Sequence, residues 1–179
     1  MKKFKKVIIV IQARVNSSRL PNKVLLKLNG IPSIIRMVNR VQLSKLADEI
    51  WIATGKNKVN DDLEKLFKNT SIKVYRGDNL DVLSRYAKII EDTKADIVVR
   101  LTGDCPLIDP VIIDQAIQLL IDRKVDYVSN IMNRTYPDGL DVEAFTAETL
   151  IEAKLKVDEN FSKEHVTTYI HGIHKKKYK

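Results

Sequence analysis

The sequence has 179 residues, 44% hydrophobic and 30% charged, a balance that can bury a core and does not belong to a disordered chain. No run approaches the ~20 apolar residues of a membrane span, and Val7–Ile11 is too short for a secretory signal. One cysteine, Cys105, and three histidines exclude an internal disulfide and a Cys-rich zinc site, so the cytoplasm is the expected compartment.

In chain order, Lys6–Ile11 is nearly all β-branched, the pattern of a strand buried on both faces. A polar loop with Pro21 follows, and then Ile31–Leu43 repeats Ile34, Ile35, Val38 and Val41 at helical spacing. Ile50–Thr54 reads as a second strand, Asn60–Phe67 as a helix and Ile72–Tyr75 as a third strand. Leu80–Thr93 carries Leu83, Tyr86, Ala87 and Ile90 on one helical face. Ile97–Leu101 is the fourth strand, and Pro110–Arg123 is a helix with proline in its first turn. Tyr127–Ile131 and Leu140–Phe145 read as strands, the latter after an Asp138–Gly139 turn, and Ala147–Leu155 and Glu164–His171 as helices. Such alternation predicts a parallel α/β sheet with helices on both faces. In such sheets the ligand lies beyond the carboxyl ends of the strands. That rule selects the loops Gln12–Asn22, Gly55–Val59, Thr102–Asp109 and Asn133–Gly139.

The net charge of +8 does not mark a nucleic-acid binder. Lys2, Lys3, Lys5 and Lys6 at one end and Lys175, Lys176, Lys177 and Lys179 at the other carry all of it, and the other 23 basic residues balance the 23 acidic ones. Charge confined to the ends reads as solvated tails, whereas nucleic-acid binding needs a basic patch on the fold.

The first loop places Arg14, Arg19 and Lys23 with two serines at the mouth of the sheet. Arginine forks, a mobile ammonium and free backbone N–H groups suit a polyphosphate, although a plain polar surface loop has the same composition. Neither a Walker loop nor a dinucleotide fingerprint is present. Asp104, leaving the fourth strand beside Gly103, can hold Mg²⁺ against phosphate oxygens or cap the following turn. Cys105 has no designated base and reads as a buried small side chain. Asn133–Glu143 combines an arginine, an aromatic ring and three carboxylates around Asp138–Gly139, a wall for a hydroxyl-rich acidic sugar or an ordinary turn. Glu164 and His165 are a weaker signal, with a structural His165 the simpler reading.

Ile11-Gln12-Ala13-Arg14, Ser18-Arg19-Leu20-Pro21, Asp81-Val82-Leu83 with Arg85-Tyr86, Arg100-Leu101-Thr102-Gly103-Asp104-Cys105-Pro106, Tyr136-Pro137-Asp138-Gly139 and Glu164-His165-Val166-Thr167 occur in one order. Together these blocks resemble the cytidylyltransferases that activate acidic sugars. They resemble in particular the group named after a spore-coat polysaccharide biosynthesis protein, relatives of the CMP-sialic acid and CMP-Kdo synthetases. The resemblance implies an α/β three-layer sandwich with a mainly parallel sheet, the nucleotide-diphospho-sugar transferase (GT-A-like) fold. It implies transfer of CMP from CTP to an acidic sugar in polysaccharide biosynthesis. A nucleotide-binding paralogue without activity and a glycosyltransferase of the same fold are the alternatives. It assigns Arg14, Arg19 and Lys23 to catalysis, and CTP to Gln12, Ala13, Arg14, Ser18, Arg19, Lys23, Thr54, Arg85 and Arg100. Sugar contacts fall to Arg134, Tyr136, Asp138, Gly139, Glu143 and His165, and Mg²⁺ to Asp104. The Gln-Ala-Arg opening, unlike the Gly-x-Gly-Thr-Arg loop of sugar-1-phosphate enzymes, implies a free sugar hydroxyl as nucleophile.

Two departures set further expectations. Asn22 stands where the family has glycine, and asparagine tolerates the positive φ that glycine would supply. Relatives continue beyond the Glu-His-Val-Thr block into strands that carry a second metal-binding aspartate. The expectation for residues 1–179 is therefore a single nucleotidyltransferase domain without those strands, with an exposed edge near Tyr127–Ile131. Self-association into a homo-oligomer, weak CTP binding and slow turnover follow from it.

Overall fold

Period-two alternation along the central strands divides the apolar residues into two cores, and this division builds the three layers. The computed structural model describes residues 6–17, 19–157, 160–172 and 178. Strand β1 (Val7–Gln12) is followed by a small hairpin, β2 (Lys27–Leu28) and β3 (Ile31–Pro32), and helix α1 (Ser33–Val41). β4 (Glu49–Gly55), a 3-10 turn at Lys58–Asn60, α2 (Asp61–Phe67), β5 (Lys73–Gly77), α3 (Val82–Thr93) and β6 (Ile97–Thr102) come next. The chain continues through α4 (Pro110–Arg123), β7 (Tyr127–Ser129), β8 (Glu143–Thr146), α5 (Ala147–Lys156), α6 (Asn160–His165) and α7 (Thr168–His171). The sheet order is β5-β4-β1-β6-β8-β7. β5, β4, β1 and β6 run parallel, and β8 is antiparallel to both β6 and β7.

On one face Ile9, Ile11, Val99 and Leu101 pack against α1, α2 and α4 through Met37, Phe67 and Ile117. On the other, Ile8, Val10, Val98 and Phe145 pack against α3 and α5 through Leu83, Ile89 and Leu150. Each such buried aliphatic side chain contributes about 1.5–3 kcal/mol. The predicted α/β sandwich is the observed one. Helix starts follow local chemistry: Asp81 accepts from the Ser84 N–H at α3, and Asp109 accepts from the Val111 N–H at α4 with Pro110 next.

Four local expectations are corrected. The helix predicted from Ile31 begins at Ser33, because Asn29 (φ 54°) and Gly30 (φ 80°) turn Leu28 back against Ile31 in a hairpin. The strand predicted over Tyr127–Ile131 stops at Ser129. There the Asn130 side chain takes over, donating to the Leu140 carbonyl (2.7 Å) and accepting from the Val142 N–H (2.9 Å). Its partner strand accordingly starts at Glu143 rather than Leu140. The helix predicted over Glu164–His171 breaks at Val166, whose φ is 61°. β7 is the sheet's outer strand as expected, but its side chains are partly covered: Val128 packs on the core and Tyr127 bonds to Glu143.

Lys6 is no solvated tail. Its ammonium lies 2.6 Å from Glu49, which also takes Lys73 (2.9 Å) and the Trp51 indole N–H (2.9 Å). Burial acts to raise the Glu49 pKa, but Lys6, Lys73 and Trp51 overcome it and hold the carboxyl down at about 2, against an ordinary 4.5. A depressed carboxylate stabilises the fold above its unfolded value and ceases to do so as pH falls through the folded one. Glu49 should therefore contribute about 1–2 kcal/mol at neutral pH, after allowance for partial solvent screening, and lose it between pH 4.5 and 2. Urea unfolding of wild type and Glu49→Gln should show the gap between them closing across that window; a constant gap would remove Glu49 from the acid response.

Candidate active site

β1 lies between two parallel partners, and the chain departs from it toward β4 on one side while β6 enters on the other. This is the switch point at which open α/β sheets bind ligands. Both neighbours grip the exit from β1. The Ala13 N–H donates to the Ala53 carbonyl (3.1 Å), and the Gly103 N–H donates to the Gln12 carbonyl (2.9 Å). A Cβ at Gly103 would lie 2.9 Å from the Ala13 Cβ and 3.2 Å from the Gln12 oxygen, so only glycine lets the loop after β6 approach so closely.

The first loop then folds back on itself. The Val15 N–H donates to Asn60 Oδ1 (3.0 Å), and Asn60 Nδ2 donates to the Gly55 carbonyl (3.0 Å). Asn60 is only 1% exposed, so it ties the loop firmly to the end of β4. Asn22 adopts φ 60°, as the glycine-for-asparagine exchange anticipates, and its N–H returns to the Val15 carbonyl (2.9 Å). Ala13, Val15 and Val24 are thereby buried, while Arg14 and Arg19 are exposed and Lys23 is partly so.

The result is a cleft with two lobes that share Gln12, Ala13, Arg14 and His165. The larger, about 230 Å³, adds Ser17, Arg19, Lys23, Gly103 and Asp104. The smaller, about 100 Å³, adds Val82, Arg85 and Glu164. Lys23 Nζ lies 2.6 Å from Asp104 Oδ2, with the two side chains 26% and 43% exposed. Burial acts to raise the Asp104 pKa, and the Lys23 ammonium and a Thr102 hydrogen bond outweigh it, so the carboxyl lies below its ordinary value. Across the cleft, Arg14 Nη2 is 3.8 Å from Glu164 Oε1. Arg85 is 3% exposed and donates to the Ala53 (3.3 Å) and Asn79 (3.4 Å) carbonyls, leaving its Nε without an acceptor. Burial lowers its pKa.

The structure brings Gln12, Ala13, Arg14, Arg19, Lys23, Arg85, Asp104 and His165 into one cleft. Ser18 lies outside the described residues. Cys105 is buried beside the Thr102 hydroxyl (3.4 Å), as a packing thiol should be. Three assignments are corrected. Thr54 is fully buried within β4 and lines neither lobe. Arg100 pairs with the Glu143 carboxylate and donates Nε to Gln12 Oε1 (3.1 Å), so it stands behind Gln12 rather than in the cleft. Glu143 is 3% exposed and also accepts from the Tyr127 (2.6 Å) and Thr167 (2.6 Å) hydroxyls, with no face left for a sugar.

Arg134, Tyr136, Asp138 and Gly139 line neither lobe; they occupy the loop between β7 and β8, where Arg134 pairs with Asp138 and Asp141. Asp141, near the end of that loop, lies close enough to Cys105 of the Asp104 turn to act on its thiol. Asn60 is the site residue that sequence reasoning missed: it looked like a helix start, and only its burial reveals the clamp. Glu164, a weak signal in sequence beside His165, was given no role and lines the smaller lobe.

Residues 8–178 match the family model described as Cytidylyltransferase. The chain belongs to the cytidylyltransferase family. It is 37% identical over 169 residues to the spore coat polysaccharide biosynthesis protein SpsF of Bacillus subtilis, with 92% of this chain and 69% of that protein aligned. It is 39% identical over 129 residues to a 3-deoxy-manno-octulosonate cytidylyltransferase of Francisella tularensis subsp. novicida, covering 70% of this chain and 50% of that protein. A solved cytidylyltransferase structure from Leptospira borgpetersenii superimposes with a TM-score of 0.91 at 32% identity, over 97% of this chain and 73% of that one. As a cytidylyltransferase fold, the cleft at the end of β1 is the place to test by mutation. Gly103→Ala should force the Ala13–Gln12 segment outward, lowering stability by about 1–3 kcal/mol. Thermal unfolding measures this directly, and an unchanged midpoint would mean that the loop gives way freely.

Proposed function

We propose that this chain transfers CMP from CTP to a hydroxyl of an acidic sugar and releases pyrophosphate. The observation that supports this reading is the convergence of Arg14, Arg19 and Lys23 on one cleft that also holds the ionised Asp104. In the reaction the sugar oxygen attacks the α-phosphorus, its bond forms as the bond to the pyrophosphate oxygen breaks, and the hydroxyl proton leaves to solvent. The protein's part is to align the two and neutralise the charge that builds on the leaving group. Arg14 and Arg19 offer forks to phosphate oxygens, Lys23 a mobile ammonium, and Gln12 a side-chain amide held by Arg100. The loop from Arg134 to Asp141, which includes Tyr136, Asp138 and Gly139, flanks the Asp104 turn, and we assign the sugar to that side with His165 at the cleft rim.

The residues also fit Mg²⁺. Among the described residues no group of three or more His, Cys, Asp or Glu could hold a metal. Mg²⁺, however, commonly takes one or two carboxylates with substrate phosphates and water, and Asp104 is a half-exposed, ionised carboxylate beside the phosphate grips. Bound there with the triphosphate, the ion would offset phosphate charge.

Pyrophosphate release, measured with all four nucleoside triphosphates and a panel of 3-deoxy-2-ulosonic acids, tests the proposal. CTP with one such acid should be the productive pair. Release with no pair would leave a nucleotide-binding protein, and turnover of a ready-made nucleotide sugar without pyrophosphate would make it a glycosyltransferase. Lys23→Ala should lower turnover by roughly two to three orders of magnitude, given ~2–4 kcal/mol for a well-placed transition-state charge. Asp104→Asn should abolish the effect of Mg²⁺ on CTP binding; an undiminished effect in titration calorimetry would return Asp104 to a structural turn.

A further inference from the structure

Glu143 touches neither lobe of the cleft, yet its carboxylate is bonded to groups that shape both. Through Oε2 it holds Arg100, which in turn fixes Gln12, a lining residue of both lobes. Through Oε1 it accepts from the Thr167 hydroxyl (2.6 Å), two residues beyond His165 and three beyond Glu164. Those two residues form the facing wall.

A second, independent observation lies between them. The Thr167 N–H closes on the His165 carbonyl (2.6 Å), a three-residue turn with Val166 at φ 61° and fully buried. A β-branched residue at positive φ is strained, and such a turn persists only where its surroundings over-determine it. The bond from Thr167 to Glu143 is the polar tether on this turn. A buried ion pair is weak evidence for stability, since well-packed hydrophobic residues of similar volume often do as well. What the charged group adds is direction.

We propose that Glu143 is a positioning residue that holds the two walls of the cleft in register, through Gln12 on one side and the strained 165–167 turn on the other. The proposal rests on the cleft being a nucleotide site, as argued above. Glu143→Gln leaves Arg100 buried without its counter-charge and can unfold the chain, so the deciding variant is Thr167→Val, which removes only the tethering hydroxyl. Thr167→Ser keeps that hydroxyl. Thr93→Val removes a comparably buried one at the end of α3, bonded to the Ile89 carbonyl, and serves as control.

Two readouts separate the outcomes. In the ligand-free chain, the His165 imidazole NMR signals, assigned by their loss in His165→Asn, should shift and broaden in Thr167→Val and stay in place in Thr167→Ser and Thr93→Val. In calorimetry, Thr167→Val should weaken binding of CTP with Mg²⁺ by about tenfold or more, the scale of one hydrogen bond to a charged group, with Thr167→Ser near wild type. Unmoved His165 signals and unchanged affinity in Thr167→Val would overturn the proposal and leave Glu143 a purely structural charge. Wild type that fails to bind CTP would instead refute the nucleotide reading, and the His165 signals would still decide the positioning role.

Discussion

The carboxyl edge of the sheet depends on how the chain leaves β1. At that point the backbone is bonded on both sides at once, to Ala53 of β4 and to Gly103 after β6. Two hydrogen bonds and a glycine-sized gap fix where residue 13 sits, and every cation of the first loop is measured from there. The Asn60 clamp on Val15 and the Asn22 turn anchor the loop further. An unpaired Val15 N–H would cost about 1–3 kcal/mol in that buried place, which explains a polar side chain as deeply buried as Asn60. Gln12 is held by the same backbone bonds, and its side chain is fixed in addition from below by Arg100.

Much of the fold was legible because its strands obey simple periodicity. Val7–Gln12 and Ile97–Thr102 alternate between two cores, and a strand with both faces covered must read as an unbroken apolar run. Proline at α4 marked its helix start directly. The errors arose where side chains or turns replaced regular pairing. Asn130 ends β7 with its own amide, a substitution that no propensity registers. The Asn29–Gly30 hairpin, by contrast, carried a readable signal, an Asn-Gly pair before a helix, and it was passed over. Val166 at positive φ is the opposite case: sequence favours continuing the helix, and a tertiary bond prevails.

The site was legible as a set of loops and less so as a set of roles. Arg14, Arg19, Lys23 and Asp104 came from position at the strand ends together with charge, and both criteria survive folding. Arg100 came from the family resemblance and Glu143 from the carboxylates around the Asp138–Gly139 turn, and neither lines the cleft, because a charged residue within a strand can face a neighbouring strand as well as a ligand. Their register decides it: Arg100 and Glu143 are direct partners across β6 and β8. Nothing in a single sequence reveals that pairing, since it joins residues 43 positions apart through an antiparallel strand.

Exposure then sorts the charges of the cleft into two kinds. Lys23 with Asp104 and Arg14 with Glu164 are partly exposed pairs, and pairs of that type contribute only about 0–1 kcal/mol each. A polyanion entering the cleft would displace such contacts at little cost, so these cations are free to change partners. Arg100 is different. With its side chain 11% exposed and its partner 3%, separating the pair would strand a charge away from water, at about 3–5 kcal/mol. The cleft therefore has movable charges at its mouth and immovable ones beneath, and the geometry of the first is set by the second. Reversing that arrangement would fail on both counts: exposed charges cannot hold a loop in place, and buried ones cannot let a product go.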